Sequence, residues 1–419
     1  MTTSISAQHQ ELLVRFDSHL ESTGFARIRR AEHLERVDEF LAYLREVEIA
    51  PEAVTPQDLV RYFRARLERY RRKHGQPPRS PSWSRRHSAG VRRFLALVQG
   101  RWPPAFTART DRQRAVNAVL MEYQRSLRER RALAAATIVG RMDEARRFLE
   151  HLAGSDLAAA LSAITTGTID RYITFRAGQG LARSTCRGLC NNLRGIARFL
   201  HETGRTPRDL STAIVTPSLY RYEGLPSTIS PDQIRTILSA AQKDRSRSGL
   251  RNYAILLLLS TYGLRAGEIC QLRLDDIDWR GARLWINHTK TGARTCLPLL
   301  PKVGTALLNY LRRARPRCGD RQIFIRTNAP RTSFVTRSAI YSLLRRYLTR
   351  VGIRLNGKRG PHIFRHARAA SLLRAGVPLK AVGDLLGHRS ASSTAVYLKL
   401  DDVRLRDVAL ALPLPEVTP

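Results

Sequence analysis

"NYAILLLLSTYGLRAGEI" occupies residues 252–269, and its second half raises the question that organises the chain. An apolar run, Tyr253 to Leu259, ends near Gly263, and a cation, Arg265, follows two residues later. Glu268 lies one helical turn beyond Arg265, so an i,i+3 ion pair is the simplest use for the guanidinium. Whether it has a second use depends on what other segments bring to it.

Working outward, residues 230–400 read as mostly helical. Ser230 opens a helix with Pro231 in its first turn. The exception is "ARLWINHTKTGARTCLPL" (282–299), where Leu284 and Ile286 alternate, Thr291-Gly292 turn, and Cys296 and Leu297 resume. That is a β-hairpin pattern. Lys290 sits at its turn, and only seven of the chain's 72 cations are lysines. A lysine ammonium can give up a proton, which a guanidinium does not do. In "PHIFRHARAASLL" (361–373), His362 and Arg365 are three apart and share a helix face. Gly387 closes a helix over 378–386 in a left-handed cap. His388 follows it at once, and Tyr397 comes nine residues later.

Taken singly, each piece has a bland use. A basic pair at i,i+3 makes a solvated face or a phosphate clamp. A histidine after a glycine cap is structural, a tyrosine at helical spacing is core, and Lys290 is a surface lysine. Together they suit one reaction, attack of the Tyr397 phenol on a DNA phosphodiester. The pentacoordinate transition state gains charge on its non-bridging oxygens, and the planar forks of Arg265 and Arg365 suit them. His388 adds a hydrogen bond. A phenol with an ordinary pKa of about 10 must lose its proton as it attacks. His362 is the acceptor or orienting group for that proton, and Lys290 is the donor to the departing deoxyribose oxygen. The product, a phosphotyrosine ester, conserves the bond for religation by a different strand. The scheme calls for no cofactor and no metal.

Composition agrees. Lys+Arg number 72 against 35 Asp+Glu, a formal charge of +37 on 419 residues that are otherwise of ordinary globular composition. A field of that sign favours a polyanion, because each phosphate neutralised releases counterions. No run of 18 apolar residues occurs, and "MTTSISAQHQELLVRF" lacks the layout of a secretory signal. Five cysteines without a completing His or Cys set read as small apolar residues in a reducing cytoplasm. The expected location is therefore cytoplasmic, with the bacterial nucleoid.

Ahead of residue 215 lie two helical blocks. "VDEFLAYLREV" places Val37, Phe40, Leu41 and Leu44 on one stripe. Thr55-Pro56 opens a helix that carries Leu59, Val60 and Phe63. The pattern returns: Phe40, Leu41 and Leu44 as Phe148, Leu149 and Leu152, 108 residues on. Val54-Thr55, Leu59 and Tyr62 return as Ile164-Thr165, Ile169 and Tyr172, 110 on. Phe94-Leu95 return as Phe199-Leu200, 105 on, which suggests two copies of one helical domain. The expected organisation is a helical domain over 1–105, a second over 106–214, and an extended linker over 215–229. A catalytic domain over 230–400 and a tail over 401–419 follow. The tail either packs on its own domain or docks into a neighbouring subunit.

Gly263-Leu264-Arg265 with Glu268, Lys290 in "HTKTG", His362-Ile363-Phe364-Arg365, Leu386-Gly387-His388 and Tyr397 resemble, in order and spacing, the signature of the tyrosine recombinases, or phage integrase family. The resemblance covers about 170 residues. It implies a mainly α fold, with helical N-terminal DNA-binding domains ahead of a mixed α/β catalytic domain holding a small β-sheet. It also implies Arg265, Lys290, His362, Arg365 and His388 as catalytic residues, Tyr397 as nucleophile and Glu268 in support. The implied partner is double-stranded DNA, bound by a homotetramer on paired sites, alone or with sister recombinases. The implied activity is site-specific strand exchange by a mobile-element integrase or transposase, or a resolvase. The doubled helical block departs from the simpler family members, which carry one. The other readings are relaxation of DNA by a type IB topoisomerase and a non-catalytic architectural DNA-binding protein.

Overall fold

Thr55 and Ser230 start helices as their neighbours dictate. In this computed structural model, which describes residues 2–78, 83–104, 110–152, 156–218, 229–288, 292–334, 336–355, 357, 360–387 and 394, each caps its helix in a reciprocal capping box with Pro in the first turn. Two compact units result, one of residues 1–98 with 224–419, the other of residues 99–223.

The chain begins with helices α1 (Thr2–Ser22), α2 (Arg27–Glu46), α3 (Pro56–His74) and α4 (Trp83–Val98). Val37, Phe40, Leu41 and Leu44 are buried as their stripe predicts. In α3 the buried positions are Leu59 and Tyr62, while Val60 is 60% exposed. Residues three apart share a helix face, whereas the next residue turns away.

The second unit holds α5 (Asp111–Glu129), α6 (Ala135–Leu152), α7 (Leu157–Ser162), α8 (Thr166–Ala177) and α9 (Arg183–Glu202). The residues that repeat in sequence also repeat in geometry. Tyr62 packs edge-on against Phe40 at 4.9 Å, and Tyr172 against Phe148 at 5.1 Å. Arg66 donates to the Tyr62 hydroxyl at 3.0 Å, and Arg176 to that of Tyr172 at 3.1 Å. Tyr43 and His151, 108 residues apart, each lean on those tyrosines at 5.1 Å. Such agreement is expected of a duplicated module.

The remaining elements are α10 (Pro231–Lys243), α11 (Arg247–Tyr262), α12 (Ala266–Gln271), β1 (Ile277–Asp278), β2 (Arg283–Asn287), β3 (Arg294–Pro298), α13 (Pro301–Arg313), α14 (Ser338–Arg350), α15 (His362–Arg374) and α16 (Leu379–Leu385). Helix α11 is the centre of this core. Ala254 to Leu259 are all buried, because α10, α13 and α15 pack around it. The expected hairpin is present, with Leu284 opposite Leu297 and Trp285 opposite Cys296. Strand β1 adds a third, antiparallel strand to β2. At two residues it is too short to show a period in sequence. Of the cysteines, Cys186, Cys190 and Cys270 are buried, but Cys296 is exposed on the outer face of the hairpin. The first four helices meet this part of their unit through a turn: the Arg331 N–H donates to the Thr23 carbonyl at 3.2 Å.

Candidate active site

Gly263 ends α11 with φ +66°, a left-handed conformation that glycine adopts without penalty. That reversal sets Arg265 at the N-cap of α12. The Arg265 guanidinium donates to Glu268 Oε1 at 2.7 Å, and its backbone N–H donates to Oε2 at 2.7 Å. The ion pair read from the spacing is present, and it holds a partly exposed guanidinium on a buried carboxylate. Burial works to raise the pKa of Glu268. Hydrogen bonds from His288 and from the Arg265 backbone and side chain outweigh it and hold the carboxyl below its ordinary range.

Arg365 is buried at 3% exposure, one turn inside α15. Its Nη1 donates to the Gly263 carbonyl at 3.1 Å, and its Nη2 donates to the Leu386 carbonyl. One side chain therefore ties the segment before Arg265 to the segment before His388. His362 begins the same helix. The residue is exposed, and its pKa is lowered, first by partial desolvation from the protein around the ring, then by the charges of Arg365 and Arg265, with Glu268 opposing and Arg337 adding. Arg265 and Glu268 on α12, and His362 and Arg365 on α15, thus share one electrostatic site.

Sequence reasoning missed Arg337 and His288 as members of this site. Arg337, at the start of α14, lies against Gly267 of α12 and bears on His362. His288 is buried beside Glu268, with Nδ1 2.7 Å from Oε1. Its position before Lys290 in "HTKTG" was the only available hint.

Lys290, His388 and Tyr397, and the tail over 401–419, lie outside the described residues. Their described neighbours include Gly387, with φ +63°, whose N–H donates to the Asp384 carbonyl at 3.0 Å at the end of α16, as its cap predicts. Thr394, three residues before Tyr397, is buried over Gly383 of α16. Among the described residues no group of three His, Cys, Asp or Glu is placed to hold a metal ion, and no helix is long and apolar enough to cross a membrane.

The fold is thus mainly helical with one small sheet, and its core sets Arg265, Glu268, His362 and Arg365 in one cluster. The sequence pattern of the phage integrase family matches residues 227–404. The integrase/recombinase y4rA of Sinorhizobium fredii is 31% identical over 402 residues, covering 96% of this chain and 94% of its own. The tyrosine recombinase XerD of Mycobacterium tuberculosis is 30% identical over 308 residues, covering 69% of this chain and 95% of its own. Among solved structures, a lambda integrase fragment, as a dimer bound to a COC' core site, superposes with a TM-score of 0.54 at 18% identity, over 71% of this chain and 99% of that one. XerH recombinase, bound to palindromic difH substrate, superposes with a TM-score of 0.55 at 17% identity, over 71% and 87%. The chain belongs to the phage integrase family, the tyrosine recombinases, and is a site-specific recombinase.

Proposed function

We propose that this recombinase binds two double-stranded DNA sites and exchanges their strands through a covalent 3′-phosphotyrosine at Tyr397. Arg265 and Arg365 bind the non-bridging oxygens of the scissile phosphate, and His388 adds a third hydrogen bond. His362 accepts or orients the phenol proton. Lys290 returns a proton to the departing 5′ oxygen. The Tyr397 oxygen–phosphorus bond forms as the phosphorus–5′ oxygen bond breaks, and attack by another strand's 5′ hydroxyl reverses the step. A mobile-element integrase or transposase working as a homotetramer, alone or with sister recombinases, fits the reading. A family relative, lambda integrase, has been seen as a tetramer on a Holliday junction.

The observation that carries this is the Arg365 bridge between Gly263 and Leu386, which draws the segments of Arg265 and His388 together. The formal charge of +37 supplies the attraction for the duplex. The helical domains over 1–105 and 106–214 would extend the grip along it.

The test is incubation of the chain with nicked suicide duplexes made from the DNA ends of the element that encodes it. A covalent adduct at one mapped position, absent in Tyr397→Phe, is the expected result. Supercoil relaxation with no site preference would replace this reading by the topoisomerase one. DNA binding without any adduct would leave the architectural one.

A further inference from the structure

His288 closes the hairpin loop that contains Lys290. Its backbone N–H donates to the Ala293 carbonyl at 2.8 Å, and its carbonyl accepts from the Gly292 N–H at 2.7 Å. Its ring is buried, with Nδ1 2.7 Å from Glu268 Oε1 and Nε2 2.9 Å from Thr295 Oγ1. One consistent assignment has Nδ1–H donating to the carboxylate and the Thr295 hydroxyl donating to Nε2.

The third contact comes from Gly387. A Cβ built there would lie 2.5 Å from His288 Cε1 and Nε2 and 2.7 Å from Cδ2, so the Gly387 backbone rests on the imidazole. A single ring therefore touches the carboxylate that holds Arg265, the strand that closes the Lys290 loop, and the residue next to His388. An apolar ring of similar size would fill this space without the desolvation cost of buried polar atoms. What only the imidazole supplies is a hydrogen bond at each end. Groups so fixed orient the residues that touch the reacting atoms.

We infer that His288 is a positioning residue of the recombination site, holding Glu268, and through it the Arg265 guanidinium, in register with the hairpin and the Gly387 turn. The inference rests on the reading of Arg265 as a scissile-phosphate cation.

The experiment is single-turnover cleavage of the nicked suicide duplex by the full chain, with a normal scissile phosphate and with a methylphosphonate in its place. The methylphosphonate transition state carries one negative charge fewer, so it depends less on a well-placed Arg265. On the normal phosphate, His288→Phe is expected to cleave about 100-fold more slowly, the scale of a misplaced catalytic contact. Its deficit on methylphosphonate should shrink to less than about tenfold, because the Arg265 charge is then less needed. His288→Gln, which keeps a donor and an acceptor, should recover most of the rate.

A wild-type rate for His288→Phe, or an equal loss on both substrates, overturns the inference, the second because it marks a general loss of structure. Should His288→Phe fail to fold, Thr295→Val tests the other end of the same ring. A rate loss confined to the normal phosphate supports the inference, and a wild-type rate overturns it. Arg265→Ala runs alongside: if it cleaves normally, the reading of Arg265 fails, and not merely that of His288.

Discussion

The Arg365 guanidinium reaches the carbonyl of Gly263, 3.1 Å from its Nη1 and 102 residues away along the chain. With its second bond, to the Leu386 carbonyl, it joins three segments that carry the site. A lysine has no fork and presents one ammonium where two separated carbonyls wait. Arg365→Lys is therefore expected to lower single-turnover cleavage by at least about 100-fold, the scale of a lost oxyanion donor. It should also cost about 1–3 kcal/mol of stability, the penalty of a buried acceptor left unmet. Thermal denaturation and adduct formation measured on one preparation check both, and a wild-type melting temperature would contradict the bridge.

Gly387 and Gly376 make a matched pair. Both hold left-handed φ, +63° and +83°, but a Cβ at Gly376 meets nothing within 4 Å while one at Gly387 runs into His288. Gly376→Ala should cost only the conformational penalty, about 1–2 kcal/mol. Gly387→Ala should cost more and should also slow cleavage, since the His288 contact must shift. Equal melting temperatures for the two variants would refute the close approach.

His362 is expected to titrate below its ordinary value of 6.5 in the DNA-free protein. Its folded pKa is depressed, so the unfolded chain binds more protons as pH falls through 6.5. This group's contribution to stability is thus present above that pH and lost on acidification. The burial effect is intrinsic, but the Arg265 charge is removable, so Arg265→Ala should raise the midpoint. Proton NMR of the ring reads both values, and an unchanged midpoint in Arg265→Ala would separate the two groups.

The repeated module offers a stability test. Tyr172 donates to the buried Glu144 at 2.6 Å, and Arg176 donates to the same oxygen at 2.8 Å. In the first block, the acid paired with Arg66 is Glu39, whose side chain is 47% exposed. Tyr172→Phe leaves a buried carboxylate short of a donor and should cost about 1–3 kcal/mol. Tyr62→Phe should cost less, because it removes only an acceptor from Arg66, whose guanidinium keeps its pairing with Glu39. Urea denaturation of the two variants compares them directly.

Several features could be read before any coordinates. Thr55-Pro56 and Ser230-Pro231 mark helix starts because a cap involves only the next few residues. The hairpin followed from a two-residue period, and the Gly387 turn from a conformation that glycine takes without a Cβ. Strand β1 was missed because two residues carry no period.

The amino-acid order by itself determined the family: Gly263-Leu264-Arg265, His362 and Arg365 follow one another in the order and spacing of the tyrosine recombinase signature. Only the tertiary structure decided that Arg365 is buried beneath two carbonyls, that Arg337 bears on His362, and that His288 lies between Glu268 and Gly387. Local rules act over one turn or one strand, and these relationships join residues 20 to 102 positions apart. Such pairings are chosen by how whole elements pack, which no short stretch encodes alone.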